Sequence, residues 1–535
     1  MTPFTRILIP FSKTNNFDKL IVDYINDDDF LKEFYPYEDS LSGIKERITS
    51  YNNPRLNRKN LSDVLLKQYN SYGITEIPEK VNKNILSLLN SNTFTITTGH
   101  QLNIFSGPLY VIYKLISTIN LAEKLNSQFP DNHFVPVYWM ATEDHDIKEI
   151  TSLNLFGKNF SWDNGWKGIA GKMPLDGIEA LINEMNLIFG NSGYANELYS
   201  LMSSSYLESQ TLAEATRKWV NKLLGNSGLV ILDGNDALLK KSFQDILIDE
   251  VINKRSSLLI NKTTERLEKK YYSQAKPRDI NLFYLGDNFR ERIVSEMENL
   301  KVLNKDISFS KDEIKAEINS HPEKFSPNVV LRPLYQESIL PNIVFIGGPS
   351  EISYWLELKE LFEFYNAPMP SLFLRSSAMI LDKNMMNKLN KLSIKKSDIF
   401  LSADEIIKTF INSKSKDQSS FHRAITLISE EFSKLGSSVS QIDPTLVPAV
   451  EAENLKVISS LQTLEDKVMR SLKKKNEIEV NQIRKVKEKL FPGGKLQERE
   501  ESFLGYYLQW GSAFIDMLKD NFDPLDKEFI ILEES

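Results

Sequence analysis

Two apolar runs flanking one long helical pattern limit this chain's fold more than any other feature. The first, around Phe94 and Ile96, alternates with threonines as a strand does and closes on Thr98, Gly99, His100 and Gln101. Ser106, Gly107 and Pro108 then read as an N-cap and first-turn proline, opening a helix whose apolar face is Leu109, Ile112, Tyr113, Ile116 and Ile119. The second run, Phe134 to Met140, ends in the acidic stretch Glu143, Asp144, His145 and Asp146. Strand, helix and strand in that order predict a right-handed parallel unit, with both strand ends at one edge of the sheet. Ligands of such sheets bind outside that edge, so His100 and the acidic cluster are expected to share a crevice.

Further strands extend the pattern. Gly228 to Asp233 reads as buried and again ends in an acid, Ile343 to Ile346 runs into Gly347, Gly348, Pro349, Ser350 and Glu351, and Ser371 to Leu374 is followed by Arg375, Ser376 and Ser377. Leu282 to Leu285 and Val329 to Pro333 are shorter strand candidates. Arg290 and Arg292 between them are usable for an anion, or are solvated partners of Glu291. The fold class is therefore α/β, with a parallel sheet and insertions. The expected organisation is an N-terminal flank at 1–92, a core at 93–380 with insertions near 151–220 and 240–325, a helical domain at 381–500, and a C-terminal helix and tail at 501–535. In the helical domain, Leu461, Leu464, Val468 and Leu472, then Ile483, Val486 and Leu490, follow three-four spacing, as in an antiparallel hairpin or coiled coil.

Composition narrows the chemistry. The net charge of −7 argues against a general nucleic-acid or anionic-membrane binder. No apolar run reaches the length of a membrane span, and the polar start lacks a secretory segment. The absence of cysteine excludes disulfides, a cysteine nucleophile and thiolate zinc sites, so no structural zinc is expected and a cytoplasmic setting is the simplest. With five histidines in all, no His-rich metal centre is expected; a metal would be Mg²⁺ arriving with a nucleotide.

Three segments point to one sheet edge: Thr98–Gln101, Gly347–Glu351 and Arg375–Ser377. Together they suit nucleotide activation, with His100 donating to phosphate, the glycine pair admitting adenosine, Ser350 capping a helix and Arg375 neutralising phosphate charge. The alternative for the first is a tight turn whose histidine satisfies a local hydrogen bond. Asp144, His145 and Asp146, with Glu143, could hold an ammonium, bind a metal or perform acid-base catalysis; they could equally complement a helix N-terminus. Besides a ligase, a non-catalytic dimeric nucleotide-binding protein and a metal-dependent hydrolase fit these residues.

The segments TTGHQLNIFSGPLYVIYK, VYWMATEDHD, FSPNVVLRPLYQE and IGGPSEISYW, with the late helical region, resemble the bacillithiol-biosynthesis cysteine ligase family, BshC, over essentially the whole chain. The resemblance implies a Rossmann-like core similar to class I aminoacyl-tRNA synthetases and a coiled-coil domain associated with homodimers. It implies addition of cysteine to glucosaminyl malate, the last step to bacillithiol; the convergence of the three strand-end segments makes ATP with Mg²⁺ the expected activating reactant. His100 matches the second histidine of the synthetase HIGH motif, Gly347 and Gly348 the adenosine-side glycines, and Arg375–Ser377 a distant relative of the KMSKS loop.

Overall fold

The computed structural model describes residues 4–71, 74, 76–414 and 419–535. Its centre is a sheet of five parallel strands, in spatial order Val230–Asp233, His133–Met140, Thr93–His100, Asn342–Gly347 and Ser371–Leu374. Numbered along the chain, that order is 3-2-1-4-5, the winding of a dinucleotide-type fold, and the order reverses beside Thr93–His100. Ile343, Val344, Phe345 and Ile346 are all fully buried. Burial on both faces explains why this strand is a continuous apolar run rather than an alternating one.

The helix Leu109–Gln128 joins the first two strands, and Leu109, Ile112, Tyr113, Ile116 and Ile119 are all buried along it. Its start differs from the sequence expectation. Gly107 has a φ of +53° and Ser106 one of +68°, so the chain reverses before the helix and Pro108 takes the cap position. The Ser106 hydroxyl instead accepts from Trp219 Nε1 at 2.8 Å, and the free N–H of Leu109 donates to the Glu501 carbonyl at 2.9 Å. The first N–H of that helix is therefore taken by protein.

The insertion after His133–Met140 holds a short hairpin, Ser152–Leu155 with Lys158–Ser161, and three helices between Ile178 and Leu224. The next insertion holds a five-stranded antiparallel sheet that includes Leu282–Leu285, Arg290–Glu296 and Phe325–Pro327. Val329–Pro333 is not a strand. The Asn328 side chain accepts from the N–H groups of Val330 and Leu331, turning the chain into the helix Arg332–Ile339 with Pro333 in its first turn.

Past Leu381, helices Ser419–Ile442 and Val447–Lys475 pack on one another as a hairpin. The helix Glu477–Leu490 continues from Val447–Lys475 past a break at Asn476 and buries Val480, Ile483, Val486 and Leu490 against the body. The Ile483 set thus docks on the protein, and the hairpin partner of Leu461–Leu472 lies upstream of it. The final residues are a strand rather than a tail: Glu528–Glu534 pairs antiparallel with Phe4–Pro10 and parallel with Ala378–Leu381. No helix among the described residues is long and apolar enough to cross a membrane.

Candidate active site

A cavity of about 590 Å³ opens at the carboxyl edge of the parallel sheet, where the strand order reverses. That is the size of a small-molecule site. Gly99, His100 and Gln101 form one wall, Glu143 and Asp144 a second, and Glu351 and Tyr354 a third. The antiparallel sheet overhangs them with Phe283, Arg290 and Arg292, and Asn328 and Arg332 close the remaining side.

His100 is the last residue of its strand, and its Nε2 is buried without a hydrogen-bond partner. Burial first, then the charges of Lys114 and Arg375, hold its pKa well below the usual imidazole value of 6.5, so the ring is neutral at pH 7. Lys114, buried on the following helix, donates to the Gly99 carbonyl at 2.6 Å and to Glu351 at 2.5 Å. Glu351 also accepts from the Gly348 N–H at 2.8 Å. One ion pair therefore ties the end of the first strand to the turn after the fourth.

The acidic cluster separates into different roles. Glu143 is paired with the buried Lys240. Asp144 accepts from Gln101 Nε2 at 2.7 Å and from the N–H groups of His145 and Asp146. His145 and Asp146 are exposed and lie outside the cavity wall. Arginine can only donate, so the 3.0 Å contact makes His145 Nδ1 the acceptor of Arg290 Nη1. Burial and the Arg290 charge lower the His145 pKa. Among the described residues no group of three or more His, Asp or Glu side chains stands placed to hold a metal ion.

The remaining predicted residues lie behind the wall. Thr98 is buried, and its hydroxyl donates to the Ile346 carbonyl at 2.8 Å. Gly347 and Gly348 are not on the cavity surface; a Cβ on Gly347 would come within 2.9 Å of Phe345. Gly348 rather than Ser350 occupies the cap position of the helix Pro349–Leu356, and Ser350 is exposed. Arg375 is buried against Glu498 at 2.7 Å and bonds the Ser376 carbonyl and the Ser377 hydroxyl, away from the cavity. Its charge is neutralised by protein, which removes it as the arginine that meets phosphate. Sequence reasoning passed over Lys114 and Arg332, although both stand inside quoted segments: Lys114 is defined by Glu351, 237 residues away, and Arg332 by the cavity it lines.

A reversed-order parallel sheet with a ligand-sized cavity at its switch point, carrying a helical hairpin domain, defines a Rossmann-like α/β protein of the small-molecule-binding class. The description "Bacillithiol biosynthesis BshC, N-terminal Rossmann-like domain" matches residues 7–376, and "Bacillithiol biosynthesis BshC, C-terminal coiled-coil domain" matches residues 378–534. Proteins named "Putative cysteine ligase BshC" are similar over nearly their whole length. The one from Flavobacterium psychrophilum is 40% identical over 98% of this chain and 99% of its own, and that from Flavobacterium johnsoniae is 39% identical over 98% and 99%. The chain belongs to the BshC family of bacillithiol biosynthesis. Among solved structures, one titled as a putative arginyl tRNA synthetase from Campylobacter jejuni aligns with 87% of this chain and 98% of its own at 11% identity. Its TM-score of 0.20 leaves the fold to rest on the sheet order itself.

Proposed function

We propose that this chain is a cytoplasmic, ATP-dependent ligase that joins the carboxyl group of cysteine to the amine of glucosaminyl malate as an amide. The observation that carries this is the division of charge in the cavity. Of its three lining carboxylates, Glu143 and Glu351 are paired with lysines, and Asp144 has no lysine or arginine in ion-pair range among the described residues. Opposite, Lys276, Arg278 and Arg292 line the cavity with no acidic partner in range among the described residues. An acceptor with one amine and a malate's two carboxylates suits that distribution, amine toward Asp144 and carboxylates toward the cations.

The residues present fit a nucleoside triphosphate through Nε2 of His100, which is buried and has no partner at hydrogen-bond geometry among the described residues. ATP, carrying Mg²⁺, supplies the group that turns the cysteine carboxylate into an acyl donor. Neutral His100 hydrogen-bonds phosphate oxygen; Asp144 binds the acceptor ammonium and takes a proton from it, and the freed amine attacks the acyl carbon and expels the phosphate-bearing leaving group, while Gln101 holds Asp144 in place. We further propose a homodimer built on the helical hairpin, where Leu435, Ile442, Leu455 and Leu464 are exposed.

The test is incubation of the purified chain with ATP, cysteine and glucosaminyl malate, followed by mass spectrometry. The amide product is expected; its absence with authentic substrates overturns the proposal. Release of pyrophosphate or of phosphate tells which bond of ATP is broken.

A further inference from the structure

Arg332 begins the helix that follows Asn328, and it lines the cavity beside the central strand. Its Nη1 lies 3.9 Å from where a Cβ on Gly99 would stand, so the guanidinium rests over backbone that has no side chain of its own. Its partners are neutral. Nη1 donates to Gln336 Oε1 at 2.8 Å, Nη2 to the Tyr354 hydroxyl at 3.4 Å, and the Trp139 ring lies 5.8 Å away. No carboxylate stands in ion-pair range of it among the described residues; Glu351, on the same cavity, is committed to Lys114 and the Gly348 N–H. An arginine has five donors, and the two neutral contacts leave donors unused and no carboxylate in contact with the charge among the described residues.

Its orientation is set from below. Gln336 Nε2 donates to Glu337 Oε1 at 2.7 Å, and that carboxylate also accepts from Asn342 Nδ2 at 2.9 Å. Asn342 Oδ1 in turn accepts from the hydroxyls of Thr95 and Thr97 on the central strand. Because the Gln336 amide must turn its nitrogen to Glu337, its oxygen faces Arg332. A buried polar row thus runs from the middle of the sheet to the guanidinium and fixes its plane.

We propose that Arg332 is the anion-binding arginine of this site, taking an oxyanion group, carboxylate or phosphate, over Gly99, and that Gln336 is its positioning residue. The proposal rests on the ligase reading only for which reactant supplies the anion. Charge, a planar donor fork and neutral supports are what bidentate recognition of such a group requires.

Binding of ATP, cysteine and malate, each measured alone by calorimetry on the full chain, tests it without turnover. With Arg332→Ala, at least one of the three is expected to bind about tenfold more weakly or worse, with the others unchanged. Arg332→Lys is expected to recover part of the loss. Loss for ATP alone identifies phosphate, and loss for cysteine or malate identifies a carboxylate. Gln336→Glu sets a competing carboxylate against the guanidinium, so it is expected to weaken the same probe. In the double variant with Arg332→Ala it is expected to add nothing, an outcome a merely structural role would not give. The proposal is overturned if the folded Arg332→Ala chain binds all three as wild type does, or if wild type binds none. Absence of amide product with binding and its Arg332 dependence intact would sink the ligase reading alone.

Discussion

Glu337 offers a measurement that reads the buried polar row directly. Its side chain is fully buried, Oε1 accepts two amide donors, and Oε2 has no partner. Burial outweighs those hydrogen bonds and the charges of Arg47 and Arg332, and pushes the carboxyl from its usual 4.5 up to about 7. The folded chain therefore holds this proton more tightly than the unfolded chain does. The stability contributed is fully present below pH 4.5 and is lost as pH rises through 7. Over those two and a half pH units, at about 1.4 kcal/mol each, the loss is about 3 kcal/mol, most of it between pH 5 and 8. Glu337→Gln keeps the shape and the accepting oxygen but cannot ionise, so its stability lacks this term. Urea unfolding of both chains at pH 5, 6, 7 and 8, under conditions where refolding is complete, should show the variant gaining on wild type as pH rises. A gap that stays constant from pH 5 to 8 would refute the assignment of a raised carboxyl at Glu337.

Three other outcomes follow from the geometry. His100 stays neutral across the working range, so kcat/KM should show no limb from its titration near pH 6.5. His100→Phe should lose about 10²–10³-fold in kcat, and His100→Asn, which keeps a neutral donor, should lose less. Arg375→Ala leaves the fully buried Glu498 without its partner and should cost about 3–5 kcal/mol, read as a drop in the unfolding midpoint with weaker selective effects on substrate binding. Light scattering should report twice the mass of one chain, and replacing Ile442, Leu455 and Leu464 with glutamate should halve it; a monomeric wild type would exclude the hairpin as the dimer contact.

The parallel sheet was legible because strands buried on both faces must be apolar along their length, and two of them end in an acid or a glycine, Asp233 and Gly347. Ser371–Leu374 coincides with its strand for that reason, and Leu282–Leu285, a strand of the antiparallel sheet, was legible as a short apolar run. Val329–Pro333 misled because β-branched and apolar residues also fill a turn, and the Asn328 side chain that makes the turn acts through bonds no periodicity records. The site was harder still. Whether Glu143, Glu351 or Arg375 faces a ligand depends on Lys240, Lys114 and Glu498, which lie 97, 237 and 123 residues away in sequence. Titratable residues could be found by type, but their freedom to act was decided by these distant countercharges. Arg332 stands out for the opposite reason, since nothing far along the chain arrives to neutralise it.

The pairing of Phe4–Pro10 with Glu528–Glu534 has a consequence for how the chain is made. Synthesis runs from the amino end, so the first strand must wait, its edge unpaired, until more than five hundred residues have followed it. The parallel core can close long before that moment, but the seam that also holds Ala378–Leu381 cannot. Removal of Glu528–Glu534 would keep most of the interior yet leave Phe4–Pro10 and Ala378–Leu381 with two strand edges open to other molecules.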